Sequence, residues 1–167
     1  MIGYAEVANK VRVLSYIRAG ATDLPVIVND FRLTLTTAVP VTTADVSAAG
    51  TIYMALYKGN RISLYTGTDW VTVTSAELSV AASTSANKVF DIFLDYNAGT
   101  PVLAKTDWTN DTTRATALTT QDGRLVQTGN TDWLYLGTAR TKTASQVDDA
   151  TAFRHLWNYY NRVMKNM

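Results

Sequence analysis

The chain has one histidine and no cysteine, so few residues are available to act as nucleophile, base or soft metal ligand. A Ser-His-Asp arrangement would have to use His155 as its base. No signature of a nucleophilic serine accompanies it. Metal sites built on several histidines or on thiolates are excluded by the same residue counts. We therefore expect His155 to be a surface or interface residue.

Paired carboxylates are the remaining source of acid-base chemistry. The candidates are Glu77, Asp91, Asp95, Asp107 and Asp111. Most of them lie at predicted turns, where aspartate ordinarily hydrogen-bonds nearby backbone. The glycines are scattered singly and form no phosphate-binding loop. The sequence thus predicts no catalytic residue, no cofactor and no metal site, and a protein that is not an enzyme.

Aromatic side chains are the best candidates for binding, with four Trp and nine Tyr. Several stand at predicted strand ends or beside turns: Tyr65, Trp70, Tyr96, Trp108 and Trp133. Such rings fill a β core, anchor a protein interface or stack on sugars. The sequence favours the core for any single ring and leaves the other two uses open.

Composition describes one compact domain of 167 residues with few charges. Charged residues make up 17%, against about a quarter in an average globular protein, and about one residue in six is threonine. Threonine is β-branched and favours strands. A net charge of +1 lacks the positive field that nucleic acids require, so we expect no nucleic-acid partner. Residues 1–20 interleave charges with apolar positions, which predicts neither a signal peptide nor a membrane anchor.

From Phe31 onward, short alternating segments separated by turn residues predict a mainly β domain, an antiparallel sandwich or barrel. The predicted strands cover residues 31–36, 51–57, 61–65, 70–73, 89–95, 101–105 and 133–140. Turn residues 58–60 predict a hairpin between the second and third strands, and residues 96–99 predict another hairpin.

The two ends of the chain depart from this pattern. Residues 1–30 are predicted to be an attachment arm with a short helix, and residues 31–167 the β module. Near the C-terminus, apolar residues recur at three- and four-residue steps: Phe153, Leu156, Trp157, Tyr160 and Met164. This spacing favours a short amphipathic helix whose apolar stripe, with Trp157, packs against the β module or against a neighbouring subunit. A strand over residues 153–159 also fits.

Long ordered motifs occur in the second half of the chain: residues 108–118 (WTNDTTRATAL), 121–123 (QDG), 135–141 (YLGTART) and 156–163 (LWNYYNRV). Earlier ones are residues 32–36 (RLTLT), 40–46 (PVTTADV) and 59–65 (GNRISLY). Together they resemble a module of tailed-bacteriophage virion proteins, and the resemblance spans about residues 31–163. It brings no catalytic residue with it.

The resemblance implies a virion structural protein, made in the cytoplasm of the host bacterium. Because the module makes up nearly the whole chain, we expect a capsid decoration or cement protein that forms a homotrimer and binds the major capsid protein. The alternative is a tail-fibre, tail-tip or head-fibre adhesion module that binds a glycan of the host surface. No membrane partner is expected in either case.

Seven motif residues are candidates for fold or interface roles: Trp108, Asn110, Asp111, Arg114, Trp157, Tyr159 and Tyr160. Side chains in residues 110–113 should bond nearby backbone and fix a turn. Arg114 is expected to pair with Asp111 or Asp122, and Trp108 to cap the core beside it. Asn158 and Asn161 are expected to satisfy backbone groups at an interface.

Overall fold

The computed structural model of the chain describes residues 27–164. Within this range the fold is antiparallel β structure with one 3-10 turn at Asn97–Gly99, so the predicted mainly β class is confirmed. No helix in the described range is long and apolar enough to cross a membrane. The strands are β1 (Phe31–Thr34), β2 (Val46–Ala49), β3 (Thr51–Leu56), β4 (Arg61–Tyr65), β5 (Trp70–Thr74), β6 (Leu78–Ala81), β7 (Val89–Asp95), β8 (Val102–Asp107), β9 (Leu118–Gln121), β10 (Arg124–Gln127), β11 (Asn130–Arg140), β12 (Val147–Asp149) and β13 (Leu156–Asn158).

The largest sheet has the order β8-β7-β11-β10-β9, and β13 pairs with the second half of β11. Successive side chains of a strand point to opposite faces, which gives β7 two different faces. Phe90, Ile92 and Leu94 belong to the main core. Asp91 and Phe93 point the other way and are nevertheless buried. This sheet therefore has one face on the core and a second, partly covered outer face.

A second layer completes the sandwich. It consists of the sheet β1-β3-β6 and the hairpin β4-β5, while β2 pairs with β12. Apolar side chains from this layer enter the same core: Phe31, Leu33, Ile52, Met54, Ile62 and Leu64. Burial of these large side chains is the main source of stability of the domain.

Side chains bridge the two layers where their strands do not pair. At one seam, Nζ of Lys105 donates hydrogen bonds to the carbonyl oxygens of Ala81 and Ala82, at 2.8 and 2.6 Å. At the other seam, the amide of Asn158 bonds to the backbone of Leu33. The layers stay separate sheets, and these contacts fix one against the other.

Two predictions of local structure are wrong. Residues 58–60 do not join a hairpin, because β3 pairs with β1 and β6 while β4 pairs with β5. The amides of Tyr57 and Lys58 instead donate to the carbonyl of Asp30, which turns the chain from one sheet into the other. The C-terminal segment is not a helix either, since β13 is a strand on the free edge of β11. The second hairpin, β7-β8, is confirmed.

The predicted arm lies mostly outside the described residues. Its last residues are bonded to the domain: Ser63 donates its amide to the carbonyl of Val28 at 2.8 Å, and Asp30 donates its amide to Arg61 at 2.9 Å. An arm deletion that keeps the β domain intact should therefore stop before residue 27.

Candidate functional site

The residues around β13 present a row of aromatic rings to solvent. The ring of His155 contacts those of Phe153 and Trp157, and Tyr159 contacts Tyr135 on the same face of the large sheet as Thr138, which lies opposite Trp157. We call Phe153, His155, Trp157 and Tyr159 the aromatic row. Phe153, Trp157 and Tyr159 are 47%, 48% and 38% exposed. Ring centres are 5.8 Å apart for Phe153 and His155 and 6.5 Å apart for His155 and Trp157. At its end the row contacts the outer face of the large sheet, with Tyr159 5.5 Å from Tyr135.

Basic side chains border the aromatic row. Nζ of Lys142 lies 4.7 Å from the ring centre of Phe153, and the guanidinium of Arg162 lies 5.8 Å from that of Tyr159. Both distances are within the range of cation–π attraction. Lys142 also pairs with the buried Asp148 at 3.0 Å. A hydrogen bond from the amide of Ala48 is the main reason that the pKa of Asp148 lies below its usual range.

His155 is the half-buried member of the aromatic row. Burial lowers its pKa, and the nearby charge of Arg140 lowers it further. Its Nδ1 is buried and has no hydrogen-bond partner within the described part of the chain. The neutral imidazole is therefore the form that the folded protein favours.

Acidification should destabilise the domain through His155. A lowered pKa means that His155 of the unfolded chain binds a proton at a higher pH than His155 of the folded chain. The contribution of neutral His155 to the free energy of unfolding is therefore complete above about pH 6.5 and declines below it. The opposite charge of Asp148 persists in that range because its own pKa is low. We expect the melting temperature to fall modestly between pH 7 and pH 5, and to fall less in His155→Gln. An equal fall of the melting temperature with pH in both proteins would contradict the role given to His155.

The opposite side of the same segment binds the protein's own backbone. The amide of Leu33 donates to Oδ1 of Asn158 at 2.7 Å, and Nδ2 of Asn158 donates back to the carbonyl of Leu33 at 3.0 Å. Nδ2 of Asn161 donates to the carbonyls of Asn29 and Phe31 at 2.8 and 2.7 Å. The two asparagines do satisfy backbone groups as predicted, but within one chain. We call this set of contacts the asparagine latch, and it fixes the position of the aromatic row.

Gly137 of β11 lets β13 approach closely. It lies opposite Asn158, and a Cβ at position 137 would overlap the carbonyl oxygen of Trp157. That obstacle is backbone, which cannot rotate aside as a side chain can. Glycine at this position is therefore a requirement of the strand pairing that carries the aromatic row.

Arg114 does not pair with Asp111 or Asp122, and that prediction is wrong. Its Nε donates to Oδ2 of Asp91 at 2.7 Å, and the carboxylate is 2% exposed. The Oγ1 of Thr138 donates to the other oxygen of Asp91 at 2.6 Å. Arg114 thus holds the loop over residues 108–117 on the outer face of the large sheet. The sequence predicted this role of Arg114 but not its partner.

The predicted turn at residues 110–113 is present. The amide and hydroxyl of Thr112 donate to Oδ1 of Asn110 at 2.9 and 3.0 Å. Asp111 is exposed and lies 3.4 Å from Arg140. The guanidinium of Arg114 stacks 4.5 Å from the ring centre of Trp108, so Trp108 covers the ion pair on the outer face instead of the main core.

The three C-terminal candidates have different environments. Trp157 is half exposed, so its packing in the core of the β module is wrong, while packing against a neighbouring subunit stays a prediction. In a strand its neighbour Leu156 takes the inward position. Tyr159 is exposed, whereas burial raises the pKa of Tyr160 to about 12. The sequence did not predict that the exposed surface would also include Phe153, Lys142 and Arg162. Period-two spacing of the aromatic residues was the signal that pointed to it.

The described residues offer little that resembles a catalytic centre. One open depression of about 300 Å³ lies between residues 41–45 and 149–154 and contains Asp45 and Arg154. No cluster of three or more His, Asp or Glu in the described range could hold a metal ion. The aromatic row and its basic border are suited to contact with another molecule.

No family model, curated protein or solved structure matches this chain.

Proposed function

We propose that the chain is a bacteriophage virion structural protein, and specifically a capsid decoration or cement protein that strengthens the shell by binding it. The observation that carries this proposal is the aromatic row with its basic border, an exposed surface that the asparagine latch holds in a fixed position. Fixed aromatic rings beside cations supply binding energy at small entropic cost. The resemblance of residues 31–163 to virion modules provides the biological setting.

The motifs that carry the resemblance coincide with the contacts described above, which supports a structural role. The motif at residues 156–163 contains both asparagines of the latch and half of the aromatic row, and the motif at residues 108–118 contains Arg114 of the buried ion pair. A motif that serves binding and folding needs no nucleophile or metal. These positions support a protein that acts by attachment.

A homotrimer is the expected form of the protein. Decoration proteins commonly sit at local threefold axes of a shell, where three copies meet. Light scattering of the purified chain at micromolar concentration should give three times the mass of one chain. A species that stays monomeric both in solution and on particles would contradict the trimer.

Adhesion to a host glycan is the second candidate function. The exposed rings of Trp157 and Tyr159 favour it, because tryptophan and tyrosine with one open face are able to stack on sugars. An adhesion module would sit on a fibre or tail tip and be present in few copies. A glycan array probed with the intact chain separates it from decoration.

The direct test of the decoration role is the copy number of the chain in purified virions. Densitometry of a denaturing gel against the major capsid protein should indicate hundreds of copies per particle. A handful of copies would favour the adhesion role, and absence of the chain from purified virions would contradict both.

A further inference from the structure

The rings of the aromatic row do not form a flat platform. Neighbouring planes are tilted by 41° between Phe153 and His155 and by 50° between His155 and Trp157. Cations already lie over Phe153 at one end and Tyr159 at the other. A sugar ring stacks on an open and flat ring face, whereas the side chains of a protein insert between tilted rings. The geometry favours a protein as the occupant.

The charge around the aromatic row further restricts the partner. Arg140 and Lys142 lie near His155, and Arg162 lies over Tyr159. The acidic neighbours are Asp111, 3.4 Å from Arg140, and Asp148, 3.0 Å from Lys142, so the cations outnumber the carboxylates by one. The side chain of Lys142 is 49% exposed while its partner Asp148 is 4% exposed. A molecule that approaches this pair therefore meets the cation first. Tryptophan, tyrosine and arginine are also the residues that dominate the binding energy of protein interfaces.

We propose that the aromatic row is the face that binds a carboxylate-bearing protein surface, with acidic side chains placed against Lys142 and Arg162 and apolar side chains inserted between the rings. This inference rests on the proposed function, because it makes the shell the partner and names the contact face of the decoration protein. The complementary charges predict that binding weakens as salt is added.

Co-sedimentation with virions that lack the chain tests the inference. The unaltered chain, Tyr159→Ala and Arg162→Glu are mixed separately with such particles at low and at high salt. Tyr159→Ala should bind at least about tenfold more weakly, because it removes an exposed ring of the row. Arg162→Glu should lose a similar factor, and its binding should depend less on salt.

The chain provides a matched control on the other layer. Tyr57 is 37% exposed, against 38% for Tyr159, and Nζ of Lys58 lies 5.8 Å from its ring centre, as the guanidinium of Arg162 does from Tyr159. Tyr57→Ala and Lys58→Glu should bind like the unaltered chain. Nε of Arg162 also donates to the carbonyl of Asn158 at 3.3 Å, but this bond is exposed and its loss should change the stability by no more than about 0.5 kcal/mol. Thermal melts identify any variant that fails to fold, and Arg162→Glu keeps the test valid if Tyr159→Ala does not fold.

Each outcome has a separate meaning. Weak binding confined to Tyr159→Ala and Arg162→Glu supports the inference. Equal binding by all four variants overturns it and leaves the decoration role intact, with another face as the contact. Salt-independent binding, or full binding by Arg162→Glu, shows that the partner surface is not acidic and overturns the inference. Specific glycan binding that is lost in Tyr159→Ala also overturns the inference, because the ligand of the aromatic row is then a sugar. If the unaltered chain does not bind particles, the proposed function itself is wrong.

Discussion

Replacing Asn158 with alanine should lower the free energy of unfolding by about 3 kcal/mol. The substitution removes both hydrogen bonds to Leu33, each worth about 1 kcal/mol, and leaves the buried amide of Leu33 without its acceptor, which costs about 1–3 kcal/mol. The bonded groups join β1 to β13, so the loss also frees the segment that carries the aromatic row. Urea denaturation of both proteins measures the change.

Asn110→Ala is the control for this prediction. Oδ1 of Asn110 also accepts two hydrogen bonds, from the amide and the hydroxyl of Thr112, but both residues are exposed and water can replace the lost acceptor, so the replacement should cost about 0.5 kcal/mol. An Asn158→Ala variant as stable as Asn110→Ala would show that the asparagine latch contributes little. In that case another interaction must hold the two layers together at this seam.

Asp91→Ala is the second substitution with a large expected effect, about 2–3 kcal/mol. Removing one partner of a buried ion pair costs about 3–5 kcal/mol, and the smaller figure allows for the 33% exposure of Arg114. The hydroxyl of Thr138 loses its acceptor as well. Chemical denaturation gives the value, and the double variant Asp91→Ala with Arg114→Ala gives the coupling between the two charges.

The exposed pair of Asp111 and Arg140 is the matched control for Asp91. Its charged atoms are 3.4 Å apart and the side chain of Asp111 is 65% exposed, so Asp111→Ala should cost less than about 0.5 kcal/mol. Equal costs for Asp91→Ala and Asp111→Ala would contradict the structural role of the Arg114 ion pair. The loop over residues 108–117 would then be held by its own turn.

Strands that are specified by their own residues and flanking turns could be predicted from the sequence. β4 and β7 have the predicted bounds, because alternating apolar residues and flanking turn residues specify a strand without reference to distant parts of the chain. The short strands β2, β6, β12 and β13 were not predicted as strands with these bounds. Three or four residues carry too little periodicity to distinguish a strand from a loop.

The C-terminal segment illustrates what local pattern cannot decide. Phe153, Leu156, Trp157 and Tyr160 fit helical spacing, while Phe153 and Trp157 also fit alternation. The outcome depends on distant residues: β10 pairs only with the first half of β11, Gly137 in the second half leaves room for the incoming backbone, and the backbone of Leu33 binds Asn158. The exposed surface follows from this choice, since a helix would have buried Trp157.

The ion pair of Arg114 shows the same limit for the site. The sequence predicted that Arg114 fixes its loop, but with the nearby carboxylate of Asp111 or Asp122 as its ion-pair partner. Asp91 is 23 residues away and lies on β7, in the inner part of the large sheet. A carboxylate with 2% exposure requires a cation and hydrogen-bond donors, whereas water solvates the carboxylates of exposed turns. Distance along the chain was a poor guide to the partner.

A density map of the intact virion by electron cryomicroscopy would show both where the chain sits and which face it uses. We expect this β sandwich in many symmetry-related copies on the shell, with Trp157 and Tyr159 covered by protein and with carboxylates next to Lys142 and Arg162. A map of the shell without the sandwich would contradict the proposed function. A map in which the sandwich is attached but the aromatic row faces solvent would contradict its role as the contact face.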